Sequence, residues 1–336
     1  MTATIPQPLS GAQSLQPLLS LVSADLADAE AVMSRMTSSS VSLIPELAGY
    51  LISNGGKRIR MALSLGCAKL MNYRGRRHLS LAAAIEFIHT ATLLHDDVVD
   101  HSDLRRNKPA AHTIWGNEAA IAVGDFLLSR AFEMLVEDGS IEILQTVSRA
   151  SGVISTGEVV QLAAQRQIRT SEAEYFEIIG AKTAALFEAS CAVIGFLPGG
   201  SEAIAADLGR FGQAIGIAFQ LTDDALDYAS TATRMGKNPG DDFREGKVTL
   251  PVILAFARGS RADRLFWEEA MQGLKASDAD LAHALHLLTE TDAIQDTLER
   301  ANRYIEDAKE ILSYFGDGAA KEALISAADF AVSRGN

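Results

Sequence analysis

Residues 81–100 read LAAAIEFIHTATLLHDDVVD, and this stretch decides the fold. It is apolar at most positions through Leu94, carries no Gly or Pro, and lacks the strict alternation of a half-buried strand. As a helix it runs ~30 Å at about 1.5 Å per residue. A helix that is apolar nearly all round belongs inside a bundle rather than on its surface. Working outward, apolar residues recur three and four apart almost throughout: Leu43, Leu47, Leu51; Leu127, Leu128, Phe132, Leu135; Ile143, Val147, Ile154, Val160. No alternating segment is bounded by Asn-Gly or Asp-Gly turns. Only 8 prolines occur, none between Pro109 and Pro198 or after Pro251, which suits long helices. The expected fold is all-α: a Pro/Ser/Gln-rich flexible segment at residues 1–15, then one large helical domain over 16–336.

Composition excludes several functions. With 30 Lys+Arg against 43 Asp+Glu the net charge is −13, the wrong sign for a nucleic-acid partner. A 48% hydrophobic chain is not disordered. Cys67 and Cys191 are too few for a disulfide framework and sit among apolar residues, which predicts buried small hydrophobes. No basic residue precedes Arg35, so a secretory signal is not expected. No uninterrupted apolar run reaches the ~18 residues that span a bilayer. The expectation is a soluble cytoplasmic protein without stable membrane insertion.

The quoted helix ends His95-Asp96-Asp97-Val98-Val99-Asp100, and a second apolar segment, Ile215 to Leu221, runs into Thr222-Asp223-Asp224-Ala225-Leu226-Asp227. Both clusters read D-D-x-x-D. Positions i and i+4 share a helix face, so Asp96 stands beside Asp100 and Asp223 beside Asp227. Like charges at that spacing repel, and negative charge near a helix C-terminus opposes the macrodipole. One such cluster reads equally as a solvated helix end. Two copies, each behind an apolar helix, point to a divalent cation as compensation. Carboxylates without sulfur or clustered imidazoles favour Mg²⁺ over zinc. His89, His95 and His101 fall six apart, about 240° around a helix, and cannot share one metal.

An acidic protein that binds phosphate needs local cations. Gly55-Gly56-Lys57-Arg58-Ile59-Arg60 opens a helix, where backbone N–H groups can meet an anion; Lys57 and Arg60 share a face while Arg58 points elsewhere. Arg105 and Arg106 offer forked donors suited to diphosphate, or pair with Asp100 and Asp103. Lys182-Thr183 lies in an apolar helix, where an unpaired lysine is costly. Lys237 and Lys247 flank the glycine-rich segment 236–247, either a closing loop or an ordinary surface loop.

Together these residues resemble the trans-isoprenyl diphosphate synthases, and within them the long-chain polyprenyl branch. The resemblance spans nearly the whole chain. It rests on both aspartate motifs, Gly55-Gly56-Lys57-Arg58, Phe87 to His95, Gly116-Asn117, Gly124-Asp125-Phe126-Leu127 and Glu245-Gly246-Lys247-Val248-Thr249-Leu250-Pro251. It departs at Met61, Asn107 and Ala110-Ala111-His112-Thr113, none of them a metal ligand or phosphate contact. The resemblance implies a bundle of about a dozen helices around a central cavity, usually dimeric, with the acidic helices facing each other. Asp96, Asp100 and Asp223 would ligate Mg²⁺, about three ions per site with diphosphate bound, assisted by Asp97, Asp224 and Asp227. Arg105, Lys182 and Lys247 would hold an allylic diphosphate of farnesyl or geranyl type, with Thr183, Gln220 and Lys237 nearby. Lys57, Arg60, His89 and Arg106 would hold isopentenyl diphosphate, with Arg58 a further substrate-binding candidate in the same motif.

The expected reaction is repeated condensation of the two diphosphates to a long all-trans product for a quinone side chain. Its length is a geometric matter. Thr92 and Ala91 lie one turn before Asp96, followed by Ile88, and in the family a bulky aromatic near the Ala91 position stops growth early. Small residues here predict octaprenyl to decaprenyl, the latter weakly favoured. A medium-chain farnesyl or geranylgeranyl diphosphate synthase is the alternative. A terpene cyclase would carry an Asn/Ser/Glu motif in place of Asp223 to Asp227, a regulatory subunit would have lost aspartates or cations, and a calcium protein would show an EF-hand loop.

Overall fold

In the computed structural model, which describes residues 14–53, 56–106, 108–229, 240–273 and 277–333, the chain opens with α1 (Gln16–Leu21), α2 (Ser23–Met36), α3 (Leu43–Ser53) and α4 (Ile59–Leu70). The apolar stretch forms α5 (Arg77–Val99), 23 residues long. A two-residue antiparallel ribbon follows, β1 (Leu104–Arg105) and β2 (Lys108–Pro109), pairing Leu104 with Pro109 and Arg105 with Lys108. Next come α6 (Ala111–Trp115), α7 (Asn117–Asp138), α8 (Ile141–Ala164) and α9 (Glu172–Ile179). A π-turn, Gly180–Ala184, joins α9 to α10 (Ala185–Gly195), so the three form one rod. The long α11 (Glu202–Ala229) carries the second acidic cluster. The chain finishes with α12 (Asp241–Glu245), α13 (Leu250–Arg258), α14 (Arg261–Gln272), α15 (Asp278–Glu290), α16 (Ala293–Ser313) and α17 (Ala319–Ser333). Among the described residues there are seventeen α-helices against the expected dozen; α1, α6 and α12 are short turns of five or six residues, and α9 and α10 belong to one rod.

The all-α expectation holds, and α5 lies where its composition places it. Leu81 to Ile88 are all buried, and α2, α4, α7 and α10 pack around the helix. Serines start many of the outer helices. Ser140 accepts from the Ile143 amide, and Ser171, Ser260 and Ser277 form capping boxes with Glu174, Asp263 and Asp280. The ribbon was not expected, since two residues per strand leave no periodicity to read. Its turn sets Arg105 and Arg106 side by side, with Arg106 at φ +54°. Cys67 and Cys191 are buried, as their apolar surroundings predicted.

Rod and α11 touch at backbone distance, and glycines make that possible. A methyl on Gly212 would lie 2.3 Å from the Phe187 carbonyl oxygen, and one on Gly216 would lie 2.7 Å from the Ala184 Cα. Gly209, one turn earlier, faces Ala192. This seam draws the π-turn against the part of α11 that carries Gln220, Asp223 and Asp224. Contrary to the expectation that no apolar run is long enough, the segment Glu172–Gly195 is by length and composition long and apolar enough to cross a membrane, although Lys182 and Glu188 interrupt it. Its most apolar window is 67% buried inside the bundle, as a core helix should be.

Gly212→Ala tests the seam. The added methyl must push two backbones apart, so the variant should unfold at lower denaturant by about 1–3 kcal/mol. An unchanged midpoint would show that the seam is slack.

Candidate active site

Each acidic cluster splits into two faces. In α5, Asp97 is 2% exposed and turned onto Arg105, whose Nε lies 2.8 Å from both carboxylate oxygens and whose Nη2 lies 2.6 Å from Oδ1. Asp96 and Asp100 take the other side. Lys182 Nζ stands 3.8 Å from Asp96 and Lys247 Nζ 3.8 Å from Asp100. Burial pushes the Asp96 carboxyl up to about 6, Lys182 opposes the rise, and Glu158 and Asp100 add to it.

In α11 the middle position again turns inward. Asp224 is 4% exposed, accepting from the Tyr175 hydroxyl at 2.6 Å and from the Gln220 amide at 2.7 Å. Burial raises its carboxyl to about 8, Asp242 adds to this, and both hydrogen bonds act against it. Asp227 accepts from the Asp242 backbone N–H at 3.1 Å. Asp223, like Asp227, is partly exposed.

Two lysines tie the clusters together. Lys182 projects from the π-turn to Glu158 and Gln161 of α8, at 2.7 Å each, and to Asp96. The next residue of that turn, Thr183, donates to Gln220 of α11 at 2.8 Å. Gly157 of α8 makes room for the widened turn, since a methyl there would lie 2.7 Å from the Ala181 Cβ. Lys247 pairs with Glu245 at 2.6 Å and with Asp100, and its backbone N–H donates to the Asp242 carbonyl. Burial lowers its ammonium, but Asp242, Glu245 and Asp100 more than reverse this and hold it above its usual value. Asp100, Lys247, Asp242 and Asp227 thus run in sequence from one cluster to the other.

A cationic cleft adjoins the first cluster, lined by Gly56, Arg58, Glu86, His89, Arg105 and Arg106 among others. Here the helical-face reading of the glycine-lysine-arginine motif is corrected. Arg58 is the N-cap of α4, in the left-handed conformation at φ +49°, so Lys57 precedes the helix and shares no face with Arg60. Arg58 lines the cleft, 2.6 Å from Glu86, and donates to the Ile52 carbonyl at 2.7 Å. Lys57 lies over the Phe330 ring, 4.2 Å from its centre. Arg60 lies over Phe187 and reaches His89 Nε2 at 3.1 Å; burial and Arg106 lower its guanidinium to about 10. Arg106 crosses Gly56 so closely that a methyl there would lie 2.5 Å from its Nη2. Arg105 pairs with Asp97, not with Asp100 or Asp103.

The structure therefore gathers Asp96, Asp100, Lys182 and Lys247, sets Thr183 and Gln220 against Asp224, and places Arg58, His89, Arg105 and Arg106 in one cleft. Ala91 and Ile88 are buried in α5, and Thr92 is bonded to the His89 carbonyl. Lys237 lies outside the described residues. Sequence reading missed Glu86, Glu158, Gln161, Tyr175 and Asp242. Only Glu86 gave a signal, as the one carboxylate in the apolar stretch from Leu81 to Leu94.

The donor set fits a hard cation. Asp96 and Asp100 present only carboxylate oxygens, and burial is the main cause that holds the Asp96 carboxyl up, a cost that a bound cation would relieve. Among the described residues no group of three or more His, Cys, Asp or Glu side chains is gathered that could hold a metal by itself. An ion such as Mg²⁺ takes one or two carboxylates and completes its shell with water and substrate phosphates.

His89 offers a pH test. Burial, then Arg60, Arg105, Arg106 and Arg58, push its imidazole well below 6.5. A base depressed in the folded state contributes stability that is present above 6.5 and lost as pH falls. The wild type should lose thermal stability faster than His89→Gln as pH falls below 6.5, read by melting curves. Parallel decline would mean that His89 charges freely in the fold.

Residues 41–288 match the family model for polyprenyl synthetase. The chain is 39% identical over 321 residues to octaprenyl diphosphate synthase of Escherichia coli K12, covering 96% of this chain and 99% of that one. A polyprenyl synthase from Caulobacter crescentus, solved with calcium and isoprenyl diphosphate, superposes with TM-score 0.92 at 45% identity, covering 97% and 99% of the two chains. A decaprenyl diphosphate synthase from Rhodobacter capsulatus does so with TM-score 0.92 at 40% identity, covering 96% and 100%. The chain belongs to the polyprenyl synthetase family and is a prenyltransferase.

Proposed function

We propose that the chain condenses isopentenyl diphosphate with an allylic diphosphate, repeatedly and with Mg²⁺, to a long all-trans polyprenyl diphosphate of octaprenyl to decaprenyl length. The observation that carries this reading is that Lys182 and Lys247 face the first aspartate pair and are linked by neighbouring hydrogen bonds, through Thr183 and Gln220 and through Asp242, to the second cluster, beside a separate arginine cleft. Asp96 and Asp100 on one side and Asp223 on the other would hold Mg²⁺, which supplies positive charge for the departing diphosphate. Lys182 and Lys247 add positive charge at the same place. Arg58, Arg60, Arg106 and His89 bind and orient the second diphosphate, which makes the encounter of the two substrates effectively unimolecular. The allylic C–O bond breaks, its electron pair leaves with diphosphate, and the double bond of isopentenyl diphosphate attacks the cation. The proton then lost goes to the released diphosphate, so no protein base is required. Buried α5 side chains keep water from quenching the cation.

Further parts of the reading rest on smaller observations. Ala91 and Ile88 supply small and aliphatic surface along α5, which favours a long product destined for a quinone side chain. Ile121 of α7 and Val153, Val159, Val160 and Leu162 of α8 are exposed apolar side chains, and such surface would suit a second copy of the chain. The buried Glu172–Gly195 rod agrees with a cytoplasmic enzyme.

Incubation with farnesyl diphosphate, isopentenyl diphosphate and Mg²⁺, then chromatography of the dephosphorylated products, should give octaprenyl to decaprenyl alcohols, and EDTA should abolish them. Cyclic hydrocarbons, or no product, would contradict the reading. Ala91→Phe should shift the ladder to shorter chains; an unchanged ladder would refute the geometry. Sedimentation should return twice the chain mass, and a monomer would contradict the dimer.

A further inference from the structure

Four side chains from three elements make one continuous hydrogen-bonded chain beneath the second acidic cluster. Tyr175 of α9, 3% exposed, donates to Asp224 Oδ2 at 2.6 Å. Gln220 donates to Asp224 Oδ1 at 2.7 Å, and its Oε1 accepts from Thr183 of the π-turn at 2.8 Å. Both oxygens of Asp224 are thereby occupied. Successive helical residues lie about 100° apart, so a carboxylate pinned in this direction fixes the roll of α11 and the heading of Asp223 and Asp227. Tyr175 is itself well placed to pin it. Its ring meets Phe176 edge-on at 5.5 Å, Phe176 in turn lies against Tyr304 of α16, and Glu172 of the same short helix pairs with Arg300.

We infer that Tyr175 is a positioning residue for the proposed reaction: its hydroxyl, acting with the Gln220 amide through Asp224, holds Asp223 and Asp227 toward the metal-bound diphosphate. The inference rests on the functional reading above. It assigns Asp224 to the scaffold of the site, and Asp223 and Asp227 to its open face. The geometry also ties the π-turn to the second cluster: Thr183 neighbours Lys182, so the same hydrogen-bonded chain registers a cation from one helix against carboxylates from another.

The test uses the full chain with MgCl₂ and inorganic pyrophosphate, read as the rise in melting temperature with Mg²⁺ concentration. Tyr175→Phe removes only the hydroxyl. It should melt close to wild type without ligand, yet need roughly tenfold more Mg²⁺ to reach half the ligand-induced rise, the usual scale for losing a partner that orients a metal ligand. In turnover assays the same variant should lose kcat at limiting Mg²⁺ and recover it at high Mg²⁺, with KM for isopentenyl diphosphate unchanged. Asp224→Asn should raise the Mg²⁺ midpoint too, because its amide opposes that of Gln220. The double variant should be no worse than the worse single, since both cut one chain. An unchanged midpoint in Tyr175→Phe, or shifts that multiply in the double variant, would overturn the inference. If Tyr175→Phe does not fold, an unchanged midpoint in Asp224→Asn overturns it as well. A wild-type chain that does not respond to Mg²⁺ and pyrophosphate would instead sink the functional reading, and the inference with it.

Discussion

Repulsion between carboxylates is the constraint around which the site is arranged. Asp96 and Asp100 share a face at the C-terminal end of α5, where the helix dipole already opposes them, and α11 repeats the arrangement with Asp223 and Asp227. Holding such groups partly buried is unfavourable, as the rise of Asp96 to about 6 records. The protein offsets the charge with two lysines delivered from elsewhere in the chain. Lys182 comes from a π-turn and Lys247 from the segment that follows α12. Neither is rigidly committed to an aspartate, since both stand 3.8 Å away and make shorter contacts with glutamates. Cations poised in this way can turn from carboxylate to substrate oxygen without a change of fold.

A second consequence is the separation of two anion sites by kind. A bare diphosphate is repelled by paired carboxylates and needs a metal between them. The neighbouring cleft has the opposite character: burial, and the positive charge of Arg60, Arg105, Arg106 and Arg58, hold the His89 imidazole well below its ordinary value, and forked guanidinium donors are what the proposed second diphosphate would require. The Asp97–Arg105 pair stands at the boundary, with Asp97 shielded from solvent and Arg105 partly exposed. Glu86 balances the cleft from below by pairing with Arg58. Under the proposed reaction the two sites would favour differently dressed diphosphates, as a reaction between two diphosphate esters requires. The scaffold for this is the glycine seam of α11, because only backbone contact brings the π-turn within a hydrogen bond of Gln220.

Much of this was legible in the sequence, for reasons that can be named. The helical class follows from apolar spacing, and the burial of α5 follows from its having no polar face. The i, i+4 aspartate pairs follow from helix geometry alone. What stayed hidden depends on contacts between distant residues or on backbone that departs from a helix. Tyr175 and Asp224 are 49 positions apart, and an isolated tyrosine in an amphipathic helix announces nothing. Arg58 was misdirected because its left-handed backbone breaks the face geometry that relates Lys57 to Arg60. The partner of Arg105 was misjudged for a similar reason: the two-residue ribbon folds it back onto Asp97 rather than the nearer Asp100 or Asp103. The π-turn is equally silent, since a widened turn leaves no mark on apolar periodicity.

The central claim is that both aspartate pairs grip one diphosphate through shared metal. The most direct measurement is a crystal structure grown with Mn²⁺ and a thiolo analogue of farnesyl diphosphate, with metal positions read from anomalous scattering. The account predicts metal peaks bound to Asp96 and Asp100 and a further peak bound to Asp223, all touching the same diphosphate. Metal at only one aspartate pair, or an analogue seated in the arginine cleft with the acidic clusters left bare, would contradict it.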